Sequence, residues 1–142
     1  MELTNFDKQF VERTKIIVKT MCTDDYPYNA TLLLNCLVGL ISLPTERTRP
    51  NNAVFISTCV DKLKEMGVIT RSTTDEKTFR AIKNAISHMY VDAHNADGII
   101  TSIVIADKLH RNTDAHTELQ FTMNQLKEFA LFVADKHLER FY

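Results

Sequence analysis

The 142-residue chain has the length of one ordinary domain, and its formal net charge at pH 7 is −1. Hydrophobic residues make up 44% of the sequence and charged residues 25%, which is typical of a globular protein and argues against disorder. The chain has no overall excess of positive charge of the kind that drives non-specific binding to nucleic acid, so any site for a polyanion must be local.

The cysteines and the N-terminus both favour a reducing cytoplasm. Cys22, Cys36 and Cys59 are odd in number and widely spaced, a pattern typical of neither a disulfide framework nor a zinc ribbon. The N-terminus lacks the basic and apolar regions of a secretory signal. The most apolar run, at 30–43, is too short to span a bilayer. We therefore expect a cytoplasmic protein without a membrane segment.

Helical periodicity is clear in the first half of the chain. A first helix is predicted from Thr4 or Asn5 to about Met21. Its apolar stripe consists of Phe6, Phe10, Ile17 and Met21. A second helix, at about 28–42, is apolar nearly all round, which predicts the central helix of the fold, and Pro44 is expected to end it.

A third helix is predicted to follow a polar loop at 45–52 and to end near Met66, with Gly67 as a left-handed cap. A fourth helix is predicted to start at a capping box formed by Thr73 and Glu76 and to end near 93–95.

The C-terminal third contains the only predicted strands. Residues 95–98 are typical of a turn, and apolar residues alternate at 99–105 and again at 116–121. These segments predict an antiparallel hairpin joined by a polar loop at 109–115. A last helix is predicted to start at a capping box formed by Thr122 and Gln125 and to end at about Arg140. The sequence therefore predicts a single domain over 1–142: an all-α bundle of about five helices with a small β-hairpin before the C-terminal helix.

The fourth predicted helix carries the candidate site. At about 100° per residue, Arg80, Asn84 and His88 lie one above another on a single face. The opposite, apolar face consists of Phe79, Ile82, Ile86, Met89 and Ala93. A cation, an amide and an imidazole together can bind a phosphate and move protons. The residue pattern alone nevertheless favours an ordinary solvated helix face.

No metal or cofactor site is predicted. His94, His110, His116 and His137 are expected in a helix end, a loop, a second loop and a surface helix turn, which do not form a ligand set. The sequence also lacks a glycine-rich phosphate loop and a Gly-x-Ser-x-Gly nucleophile elbow.

The segment from Lys83 to His88 resembles the motif of the HEPN superfamily, in which an arginine and a polar residue precede a histidine. Asn84 and His88 match the polar position and the histidine, whereas Lys83 stands where the family has its arginine. Segments at 6–14, 25–28 and 32–40, followed by Leu43-Pro44, resemble in the same order those of a small free-standing bacterial HEPN group. The resemblance covers most of the chain through His88.

This resemblance implies a helical homodimer that acts as a metal-independent ribonuclease or RNA-binding protein of a toxin or phage-defence type. The implied catalytic residues are His88 for proton transfer, Asn84 for orientation, and Lys83 or Arg80 as the cation that holds the phosphate. Lysine offers a point charge instead of a bidentate fork, so the choice between these two cations stays open. The alternatives are a catalytically inactive dimer that binds an antitoxin or another protein, and a nucleotide-binding regulator.

Overall fold

A computed structural model of the chain describes residues 3–47, 52–71, 74–107 and 117–141. The elements in chain order are α1 Leu3–Met21, α2 Asn29–Arg47, α3 Ala53–Met66, β1 Ile69–Arg71, α4 Asp75–His88, β2 Val91–Ala96, β3 Ile99–Ala106, β4 Glu118–Thr122 and α5 Met123–Phe141. The four strands form one antiparallel sheet in the order β1-β4-β3-β2. One face of this sheet packs on the helices, because Ile103, Ile105, Leu119 and Phe121 are buried in the common core.

The protein is thus a mixed α/β fold, and the predicted all-α class is wrong. The predicted hairpin is confirmed, since β3 pairs with β4 through partners such as Ile103 and Phe121. Its predicted loop at 109–115 lies outside the described residues. The sequence missed β1, which is only three residues long, and β2, which occupies the predicted end of the fourth helix. Strands this short, or without apolar alternation, leave no periodic signal.

The end of α4 explains why β2 exists. Met89 adopts the left-handed conformation (φ 58°), and the backbone N–H groups of Met89 and Tyr90 both donate to the carbonyl of Ala85. This capping arrangement stops the helix and reverses the chain. The chain then extends along β3 and turns back at Asp97 and Gly98, whose φ values of 54° and 79° indicate a two-residue type I′ turn. The predicted turn at 95–98 is therefore confirmed.

Met89→Gly is expected to raise the free energy of unfolding by about 0.5–1 kcal/mol, because glycine adopts the left-handed conformation without the Cβ penalty. The Met89 side chain is 67% exposed, so little packing is lost. Urea denaturation measures the change. Gly67→Ala is the inverse control: Gly67 caps α3 at φ 71°, and alanine there should lower stability. A destabilised Met89→Gly variant would contradict the prediction.

Helix α2 is the central helix, as predicted, and packs against α1, α4 and α5. It does not stop at Pro44 but continues to Arg47. A proline inside a helix has no N–H to donate to the carbonyl four residues earlier, here that of Leu40. The Nε2 atom of His137 lies 2.9 Å from that carbonyl oxygen, and because the oxygen only accepts, Nε2–H is the donor. Helix α5 thus supplies the hydrogen bond that Pro44 cannot make.

This role makes His137 a core residue, and its predicted place in a surface turn is wrong. The side chain is fully buried, and its ring lies 4.1 Å from that of Phe55, centroid to centroid. Burial lowers the pKa of His137 to about 4, although the hydrogen bond to Leu40 opposes that shift.

Helix α1 presents a different face to the core from the one suggested by its apolar stripe. The buried residues of α1 and its C-terminal end are Val11, Thr14, Val18 and Cys22. The stripe itself points outward: Phe6, Ile17 and Met21 are exposed, and Phe10 is half-buried. The face with the smaller side chains therefore packs in the core, and its one hydroxyl group, that of Thr14, donates a hydrogen bond to the carbonyl of Phe10.

Candidate functional site

Helix α4 is amphipathic and positions the candidate side chains as the sequence predicted. Its N-cap is Thr74, whose side chain accepts from the N–H of Lys77, whereas Thr73 of the predicted capping box lies outside the described residues. The buried residues of the helix are Thr78, Phe79, Ala81, Ile82, Ala85 and Ile86. Arg80, Asn84 and His88 are exposed on the other side. Met89 and Ala93 do not continue the apolar face, because the helix ends at His88.

His88 is the last residue of α4, and its ring lies against that of Tyr90, with centroids 5.8 Å apart. The backbone of Tyr90 is held from two sides: its N–H donates to the Ala85 carbonyl at 2.8 Å, and its carbonyl accepts from the Ala106 N–H at 3.2 Å. The helix end and strand β3 therefore fix the backbone from which the Tyr90 ring extends beside the imidazole. Sequence reasoning missed Tyr90, because helical periodicity gives no information beyond the cap.

Arg80 is directed away from His88. Its Nη2 atom lies 2.9 Å from Oε1 of Glu76, one turn nearer the start of the helix. Eight residues separate Arg80 from His88, which corresponds to about 12 Å along the helix axis. The ion pair is exposed and contributes little stability, so Arg80 is not locked in that direction.

Lys83 is half-buried and stands nearer to His88, about 7.5 Å along the axis. The two side chains leave the helix about 140° apart, so those of a single chain do not converge on one point. Ser87, on the Lys83 side of the helix, places its Oγ 3.4 Å from Oγ of Ser42 on α2. The site end of α4 thus adjoins the C-terminal half of α2.

The electrostatics of this helix end restrict how an anion is held. The C-terminus of a helix carries partial negative charge, in contrast to the N-termini that commonly bind phosphate. A phosphate beside His88 must therefore be neutralised by cationic side chains.

Two other features bear on the class of site. Within the described ranges, no group of three or more histidine, cysteine, aspartate or glutamate side chains is arranged to hold a metal ion. His94 lies exposed on β2 and not at a helix end as predicted, while His110 and His116 fall outside the described residues. None of the helices, as far as the structure describes them, is both long and apolar enough to cross a membrane.

Comparison with known proteins adds one finding to this geometry. The model of a protein family described as HEPN pEK499 p136 matches residues 1–141 of the chain. No curated protein and no solved structure matches it.

Proposed function

The chain belongs to the HEPN pEK499 p136 family, and on that premise we propose that it is a metal-independent endoribonuclease that acts as a homodimer in a toxin or phage-defence setting. The observation that carries the proposal is the exposed His88 at the end of α4, held against Tyr90 and sharing its helix with Asn84, Lys83 and Arg80.

The proposed reaction is attack of an RNA 2′-oxygen on the adjacent phosphorus. The P–O2′ bond forms, the P–O5′ bond breaks, and the products are a 2′,3′-cyclic phosphate and a 5′-hydroxyl. A base must remove the 2′ proton and an acid must protonate the leaving oxygen, while a cation stabilises the negative charge on phosphorus-bound oxygens. His88 serves the proton transfers, and Asn84 orients the cation or the phosphate.

The geometry of α4 supports a site shared between two chains. Each chain supplies one His88, whereas the reaction needs both an acid and a base. The Lys83 and His88 of one chain also diverge by about 140° around the helix. A second copy, related by two-fold symmetry, brings another histidine and another lysine to the same cleft.

Lys83 is proposed as the phosphate-binding cation in preference to Arg80, because it is closer to His88 along the helix axis. Lys83→Ala is therefore expected to slow RNA cleavage more than Arg80→Ala, and Lys83→Arg should retain or raise the rate. Lys77→Ala, on the same helix, is the matched control and should cleave at the wild-type rate. A larger loss of cleavage rate in Arg80→Ala than in Lys83→Ala would assign the phosphate-binding role to Arg80.

The test of the function itself is cleavage of a panel of single-stranded RNA oligonucleotides in excess EDTA. Wild-type protein should leave 2′,3′-cyclic phosphate ends, and a 2′-deoxy substitution at the cleaved nucleotide should block the reaction. Absence of cleavage for every RNA in the panel would overturn the ribonuclease proposal and favour an inactive HEPN dimer that binds a protein partner.

A further inference from the structure

Helix α1 has a second apolar face, turned away from the core. Phe6, Ile16, Ile17 and Met21 are 64, 58, 39 and 50% exposed, respectively. They lie within a sector of about 140° that also contains Gln9, Phe10, Arg13 and Thr20. We refer to these eight residues as the outer face of α1.

The outer face differs from an ordinary solvated helix surface in its charge. Arg13 is the one charged residue that helical geometry places in this sector between positions 6 and 21. The charges of Lys8, Glu12 and Lys19 lie together on the flank beyond it. A solvent-facing surface normally concentrates its charged residues, whereas this one concentrates isoleucine, phenylalanine and methionine.

The outer face adjoins α2, the helix that also contacts α4 near the candidate site. The rings of Phe6 and Phe10 are 6.5 Å apart, and Phe10 packs so closely on α2 that a Cβ built on Gly39 would lie 3.0 Å from its ring. Ser42, one turn beyond Gly39, approaches Ser87 of α4 at 3.4 Å. Ser87 precedes His88. The Phe6 end of α1 is therefore joined to the site through the C-terminal half of α2.

The size of the outer face is that of half a stable interface. Its four exposed large side chains present on the order of 400 Å² of apolar surface. Two copies would bury about 800 Å². The buried surface of an interface is roughly 60% apolar, so about 800 Å² of apolar surface corresponds to a total buried surface of about 1,300 Å². This total lies within the range of specific protein–protein interfaces. Each copy brings one charged residue to an isologous interface, Arg13, whose aliphatic stem can pack there while its guanidinium extends to solvent.

We propose that the outer face of α1 is the surface through which a second copy of this chain docks, beside the α2 seam that leads to His88. The assignment rests on the proposed function in one respect, since the shared site requires a partner copy. The pairing itself is measured without any reference to RNA.

The test compares two charge insertions at exposed isoleucines. Ile17→Glu places one carboxylate from each chain in the proposed interface. Ile99→Glu is the control, because it places the carboxylate on the β2–β3 hairpin, where Ile99 is 69% exposed. Sedimentation velocity at micromolar concentration should give twice the 16.3 kDa chain mass for wild type and for Ile99→Glu. Ile17→Glu should sediment as a monomer, with self-association weakened by at least about 30-fold. Its circular dichroism spectrum should match that of wild type, whereas its melting temperature should be lower and independent of protein concentration, because it lacks the stabilisation that dimerisation gives the folded state.

Three results would overturn the docking assignment: a monomeric wild type, a dimeric Ile17→Glu, or dissociation of Ile99→Glu to the same extent. Phe6→Glu is a second variant at the site end of the same face and should also be monomeric. If Ile17→Glu dissociates as expected but the wild-type dimer cleaves no RNA, the interface assignment is supported and the ribonuclease proposal is overturned. Full cleavage by a monomeric variant would show that the interface does not serve the site.

Discussion

His88→Ala is expected to lower the rate of RNA cleavage by about 10²- to 10⁴-fold, the usual cost of removing a general acid or base. The fold should be unchanged, because the imidazole is exposed at the end of α4 and lies against Tyr90 instead of filling the core. Single-turnover cleavage of a labelled RNA measures the loss. His94→Ala is the matched control, since His94 is an exposed histidine on β2, and it should retain the wild-type rate. Equal rates for the two variants would remove His88 from the mechanism.

Mixing wild-type chains with an inactive variant distinguishes a shared site from two separate ones. If one cleft uses His88 of both chains, an equal amount of His88→Ala chains should lower the activity of a fixed amount of wild-type protein to about one half after exchange of chains. The reason is that random pairing gives half of the wild-type chains an inactive partner. Unchanged activity after exchange would place all the groups of each site on a single chain.

The second large effect concerns acid stability. The pKa of His137 is lowered by burial from 6.5 to about 4. Between these values the unfolded chain binds a proton at His137 that the folded chain does not, so the free energy of unfolding falls as the pH falls. The linkage relation gives about 1.4 kcal/mol per pH unit and about 3 kcal/mol in total between pH 7 and pH 4. Urea denaturation across this range measures the slope.

His137→Phe separates this contribution from that of the carboxylates. Phenylalanine keeps a ring beside Phe55 but leaves the carbonyl of Leu40 without its donor. The variant should lose about 1–3 kcal/mol at pH 7.5 and should be less sensitive to acid than wild type. In a Pro44→Ala background the same change should cost less, because residue 44 then has an N–H for Leu40. An unchanged pH slope in His137→Phe would show that another group dominates.

The parts of the fold that the sequence predicted are those with a strong periodic signal. The 3.6-residue pattern of α4 identified Phe79, Ile82 and Ile86 as buried and Arg80, Asn84 and His88 as exposed. The capping box at the start of α5 was also found, and its two reciprocal hydrogen bonds join Thr122 and Gln125. These features depend on local geometry, which the sequence encodes directly.

The features that were missed depend on distant parts of the chain. Strand β1 exists because Ile69 pairs with Leu119, and nothing near residue 69 specifies that partner. Helix α2 passes Pro44 because of His137, a residue 97 positions beyond the carbonyl that it bonds. Helix α1 has two apolar faces, and periodicity alone does not show which one faces the core.

The strand order also sets the order in which the sheet assembles. Strands β2 and β3 join residues that are neighbours along the chain through a two-residue turn, so they pair with a small loss of chain entropy. Strand β1 pairs with a strand about 50 residues further along the chain, so the pairing closes a long loop. It contributes only three residues to that pairing. Long-range contacts of this kind form late in folding. We therefore expect the hairpin beside the candidate site to form early, and the opposite edge of the sheet to close last and open first.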